Sequence, residues 1–90
     1  MGRSSLEEGE GLLIEPCTWI HTFGMAFPID VIYLDGEGAV IHSCHSLRPN
    51  RLGPFVRRAH SVLELPAGTI VGSGTKVGDQ LEERSIEATS

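Results

Sequence analysis

The sequence predicts a mostly β domain, a small antiparallel sandwich or partly open barrel with at most one short helix. Three observations carry this. Apolar runs of strand length recur along the chain, Gly and Pro punctuate them, and only residues 69–74 have helical character. With 90 residues, 40% hydrophobic and 21% charged, there is chain enough for one core, so residues 1–90 read as a single domain.

Residues 1–11 are polar, carry Glu7, Glu8 and Glu10, and read as a loosely ordered segment. Leu12, Leu13 and Ile14 make a brief strand stopped before Pro16, which has no amide for a continuing ladder. Residues 17–23 alternate, with Cys17, Trp19, His21 and Phe23 on one face and Thr18, Ile20 and Thr22 on the other, the pattern of a strand. Pro28 then excludes Phe27 from helical geometry. Residues 29–34 are apolar at Val31 through Leu34 regardless of face, as expected of a central strand covered on both sides.

Asp35-Gly36-Glu37-Gly38 predicts a tight reversal with a bulge, because glycine adopts positive φ at little cost. The returning strand, residues 39–47, sets Val40, His42 and Cys44 against Ile41, Ser43 and His45. Residues 48–58 hold Pro49, Asn50, Gly53 and Pro54 without a period and read as a long surface loop. A strand over 59–65 ends at Pro66-Ala67-Gly68. Residues 69–74 then form one helical turn with Thr69 as cap, weakened at Gly72 and Gly74 by about 1 kcal/mol each relative to alanine. Residues 76–79 make a turn, 80–83 a last short strand, and 84–90 a frayed tail.

Seven basic and twelve acidic residues leave a formal charge of −5, which repels phosphate backbones and excludes general nucleic-acid binding. The sign is uneven, because Arg48, Arg51, Arg57 and Arg58 gather four of the seven cations in one loop. The richest apolar stretch, residues 25–34, is broken by Pro28 and Asp30 and falls short of the roughly 18 to 20 residues of a membrane span. The glutamate-bearing start lacks the apolar centre of a secretory signal, so the expected location is cytoplasmic. There, Cys17 and Cys44, without Cys-x-x-Cys spacing, are expected as two thiols rather than a disulfide.

Candidate chemistry falls into three groups. Cys17, His21, His42, Cys44, His45 and His60 are donors suited to zinc or copper. On a strand, Cys17 and His21 lie about 13 Å apart, too far to share an ion, whereas His42 and Cys44 are neighbours on one face and need a third ligand from another strand. The alternative is that they are polar residues of a half-exposed strand. A nucleophilic pairing of Cys17 or Cys44 with a cross-strand histidine lacks the third orienting group that such sites use.

Asp30 begins the most apolar strand, where a carboxylate needs partners. It either accepts hydrogen bonds that fix the turn after Pro28, or faces a cleft with His21 and Thr22. Trp19 reads as core and Met25 as a gap-filler at such a cleft. The arginines of the 48–58 loop can clamp a carboxylate or phosphate through bidentate bonds, or merely balance the glutamates.

The order of motifs resembles a known family. Gly11-Leu12-Leu13-Ile14, then residues 17–22, then the run from Gly24 through Met25-Ala26-Phe27-Pro28-Ile29-Asp30-Val31-Ile32-Tyr33-Leu34 to Asp35 are similar to the signature of the bacterial and archaeal family called domain of unknown function 192. Val62-Leu63-Glu64-Leu65-Pro66-Ala67-Gly68-Thr69 and Lys76-Val77-Gly78-Asp79 match its closing pattern. The resemblance spans about residues 1–82 and implies a small β-sandwich-like fold with no established activity. It also implies a further segment ahead of the position of Met1, whose absence here would leave a sheet edge open if that segment is a strand. The helical turn after Pro66-Ala67-Gly68 is expected to be poorer than in the family, with Gly72, Ser73 and Gly74 in place of stronger helix formers.

These readings converge on a non-enzymatic binding or interaction module for a small anionic ligand or partner peptide. The candidate site is His21, Thr22, Met25, Asp30, Arg48 and Arg51, between the loops 22–30 and 48–58. The alternative is a metal-assisted hydrolase with zinc or copper on His42 and Cys44. Neither a nucleic acid nor a membrane is an expected partner, and the expected state is a monomer or a weak dimer through an open edge strand.

Overall fold

A computed structural model describes residues 11–81. The expected loose segment through residue 10, the end of the last strand and the tail 84–90 lie outside the described residues. The fold is mostly β: strands β1 (Leu12–Ile14), β2 (Ile29–Leu34), β3 (Val40–Leu47) and β4 (Ser61–Pro66), with one short helix, α1 (Thr69–Ser73). The strands form a single antiparallel sheet in the order β1-β4-β2-β3.

All six residues of β2 are buried, which is why its sequence is apolar on both faces. Alternation divides the core accordingly. Ile29, Val31 and Tyr33 pack with Cys17, Ile20, Ala59 and Val62 on one face, and Ile32 and Leu34 with Val40, Leu63 and Ile70 on the other. The second face is covered by α1 through Ile70. The first is covered by the coil segments that carry Cys17, Ile20 and Ala59, called here the ribbon face.

One predicted strand, residues 17–23, is not a regular strand, and of the last, 80–83, only Gln80 and Leu81 lie among the described residues. In residues 17–23 the alternation holds from Trp19 to Phe23, but Cys17, expected on the face of Trp19, His21 and Phe23, is buried in the core with Ile20. The one bridge these residues make is His21 to Leu52, so they pair with the loop 48–58 instead of joining the sheet. Gln80 makes a lone bridge to Ala39, and the Gln80 side-chain amide donates to the Glu37 carbonyl. The Asp35–Gly38 reversal forms as expected, held by Asp35 Oδ1, which accepts from the amides of Glu37 and Ala39 at 2.9 Å each. A register shift between Tyr33 and Leu34 places Val40 opposite Leu34 but His42 opposite Tyr33, with Ile41 as the extra residue. Val40 consequently packs on the helix face while Ile41 and Cys44 pack on the ribbon face, which corrects the strict alternation expected for residues 39–47.

The helical turn is present, but Thr69 is not its cap. Gly68 occupies that position at φ 96°, a backbone conformation that favours glycine, and no local side chain closes the turn. Thr69 Oγ1 donates instead to the Pro66 carbonyl at 2.6 Å.

Candidate functional site

Asp30 supplies the missing cap from another strand. Its Oδ2 accepts from the amides of Ile70 at 2.8 Å and Gly68 at 3.1 Å, and its Oδ1 from Ser46 at 2.8 Å. The even position in β2 that puts Ile32 and Leu34 on the helix face does the same for Asp30, where its negative charge meets the first amides of α1. This buried carboxylate therefore fastens three segments, β2, the end of β3 and α1, and its oxygens are directed at backbone donors rather than at a cleft shared with His21 and Thr22.

Thr22 is also fully buried and performs the matching task on the ribbon face. Its hydroxyl donates to the Arg48 carbonyl at 2.6 Å and accepts from the Arg51 amide at 2.9 Å; its own amide donates to the Arg51 carbonyl, and its carbonyl accepts from Asn50 and Met25. Asn50 Oδ1 accepts in turn from the Gly24 amide at 3.2 Å. Farther along, Gly53 donates to Ile20 and Val56 to Thr18. Residues 18–22 and 51–56 thus run side by side as a hydrogen-bonded ribbon, and the loop 48–58, which showed no period, is strapped down along its length. Tyr33 holds it from beneath, its hydroxyl donating to the Pro54 carbonyl at 2.7 Å, and Gly53 packs so closely that an added Cβ would lie 3.0 Å from that hydroxyl.

The structure therefore brings His21, Thr22, Arg48 and Arg51 together and keeps Asp30 apart, bonded at the α1 junction. Met25 is half-buried against the core, consistent with filling a gap. His21 is half-exposed, stacks on Phe23 at 4.8 Å between ring centroids, and accepts from the Phe23 amide through Nδ1, which leaves Nε2 directed elsewhere. Arg48, Arg51, Arg57 and Arg58 are all exposed, and none forms an ion pair with a carboxylate among the described residues, although Arg58 lies near enough to Asp35 to help hold that carboxyl below its usual range. The principal cause of the Asp35 shift is its bonds from Ala39 and Glu37.

Trp19 departs from the sequence reading: it is 39% exposed, as part of the outward edge of the ribbon. Leu52 and Phe55 were missed as surface groups, and the one signal that could have found them was their place among prolines and arginines rather than within an alternating run.

His42 lies opposite Tyr33, its ring edge-on at 5.5 Å, and Cys44 opposite Val31. Among the described residues no three His, Cys, Asp or Glu side chains come together as a set able to hold a metal ion. Cys17 and Cys44 are thiols. Burial pushes both upward from the ordinary thiol value, the Glu64 carboxylate adding to the effect at Cys17, so the thiolate needed by a nucleophile or a metal is disfavoured. Among the described residues no helix is long and apolar enough to cross a membrane.

A small antiparallel sheet with one remotely capped turn of helix on one face and a strapped, arginine-bearing ribbon on the other defines the class of this protein. The chain belongs to the family described as "Uncharacterized ACR", domain of unknown function 192, which matches residues 1–83. Its structure is similar to the crystal structure of a protein of unknown function from Novosphingobium aromaticivorans, with a TM-score of 0.74 and 24% identity over 91% of this chain. The match spans 63% of that longer protein and supports the fold alone. No curated protein matches the chain.

Proposed function

We propose that this domain is a non-enzymatic binding module that holds an anionic group, of a small ligand or a partner peptide, beside the strapped loop at Arg48 and Arg51. One observation carries the reading. On a chain of net charge −5, four exposed guanidiniums, none in an ion pair with a carboxylate among the described residues, are gathered on a loop whose backbone is fixed by the buried Thr22. A fixed backbone lowers the ordering cost of binding, and the guanidinium fork suits carboxylate and phosphate oxygens. His21 stands on the neighbouring segment of the ribbon as a further donor through Nε2, while Thr22 and Asp30 position segments rather than touch the ligand.

The test is a thermal-shift comparison at low salt with inorganic phosphate and citrate as probes. At a hundredfold excess over Kd the native state gains about 2.7 kcal/mol. The gain is expected to shrink with added salt, through screening, and to vanish in the Arg48→Ala/Arg51→Ala double variant, whose own stability stays within about 0.5 kcal/mol of the parent because both side chains are exposed. Stabilisation that is unchanged in the double variant would overturn the proposal.

A further inference from the structure

The outward edge of the ribbon holds four large apolar side chains, Trp19, Phe23, Leu52 and Phe55, that are 39%, 51%, 57% and 64% exposed. The pairing sets them on one side. His21 and Leu52 face each other across the ribbon, Trp19 and Phe23 stand two residues to either side of His21, and the intervening Ile20 and Thr22 are fully buried on the opposite side. The Gly53-to-Ile20 and Val56-to-Thr18 bonds differ by one residue in register, and this slip lets Val56 pack inward and leaves Phe55 outward. An apolar group of this kind on a small domain marks an interaction surface.

Charge brackets the apolar group. Arg51 immediately precedes Leu52, Arg57 follows Phe55 by two residues, and both are exposed. Leu52 to Phe55 spans about 10 Å of extended chain, the reach of a few residues of a bound strand. We infer that this face binds an extended peptide segment of a partner protein, apolar at its centre and acidic at its ends, with the apolar side chains on Trp19, Phe23, Leu52 and Phe55 and the carboxylates on Arg51 and Arg57. The inference rests on the anion-binding reading above and deepens it: a small anion engages the arginines alone and leaves the four apolar groups without a role. The −5 charge of the chain disfavours an anionic bilayer, which would repel the rest of the surface, whereas a peptide meets only the ribbon.

Trp19 is the single tryptophan, so its emission reports directly on this face. The experiment pans the protein against random heptapeptides flanked by glutamate pairs and, separately, by lysine pairs, and then titrates synthetic winners. Enrichment of apolar cores is expected from the glutamate-flanked set alone. The winners should shift Trp19 emission to the blue and lose about tenfold in affinity in Phe55→Ser and again in Arg57→Glu. Circular dichroism confirms that these surface variants fold.

No enrichment, enrichment from the lysine-flanked set, or winners indifferent to both variants would overturn the inference. So would preferential binding to phosphatidylserine vesicles, or a dimer by sedimentation that Phe55→Ser dissolves. If phosphate still stabilises the parent protein in those cases, only the peptide assignment fails; if it does not, the anion-binding reading fails as well.

Discussion

The two faces of the sheet each bury a polar side chain that reaches far along the chain, and they use it differently. On the helix face, Asp30 gathers amides 16, 38 and 40 residues away and closes a turn that has no cap of its own. On the ribbon face, Thr22 ties down residues 26 and 29 positions away, and what it fixes in place is an exposed arginine loop. Asp30 completes its segment inwardly, where every bond is between protein groups. Thr22 holds a segment whose outward side is left charged and apolar. A buried polar group thus closes the fold in the first case and, in the second, holds an exposed, charged and apolar surface in place.

The sharpest way to break this comparison is Asp30→Ala. It strands three amides, Ile70's in a buried position and those of Ser46 and Gly68 in partly buried ones, and at about 1 kcal/mol for each, unfolding in urea should show a loss of about 3 kcal/mol. Asp30→Asn retains one carbonyl oxygen and should lose roughly half as much. A change under about 0.5 kcal/mol for Asp30→Ala would remove the distinction between the faces.

Thr22→Val is isosteric but deletes the hydroxyl that bonds Arg48 and Arg51, and is expected to cost about 2 kcal/mol. It should also weaken phosphate and citrate stabilisation while every arginine is retained. Full retention of that stabilisation would show that the strap is irrelevant to binding.

A smaller effect separates the faces by pH. Burial raises Cys17, Cys44 and Tyr33 in the folded state, from ordinary values of 9.0, 9.0 and 10.0, and all three face the ribbon side. Above pH about 9 the unfolded chain releases these protons while the folded chain keeps them, so stability is intact below that pH and falls as pH rises beyond it. The thermal midpoint followed from pH 7 to 11 should decline from about pH 9, and the decline should be reduced in Tyr33→Phe. A flat profile would contradict the burial of these groups.

How much of this was legible in the sequence depended on the range of each interaction. β1 and β2 were readable from apolar runs bounded by Pro16, Pro28 and the Asp35–Gly38 reversal, because those signals are local. The pairing of residues 17–23 was half legible: alternation showed an extended segment, but its partner, residues 51–56, carries Gly53, Pro54 and a register slip that erase periodicity. The same slip hid Phe55, and the bulge at Ile41 reversed the faces assigned to His42 and Cys44 relative to Val40. Asp30 was readable as a carboxylate in need of partners but not as the cap of α1, since capping rules describe neighbours in sequence and its donors come from β3 and α1. The arginine cluster was legible from composition alone, whereas the strap that makes it a surface lies in Thr22, one hydroxyl with no distinguishing pattern.

The central claim, that the ribbon face binds and the helix face only holds the fold, is tested most directly by amide chemical-shift mapping during a phosphate titration. The account predicts shifts concentrated at residues 21–24 and 48–58, with Gly68, Ile70 and the rest of α1 silent. Shifts centred on the Asp30–Gly68–Ile70 junction, or none near Arg48 and Arg51, would contradict it.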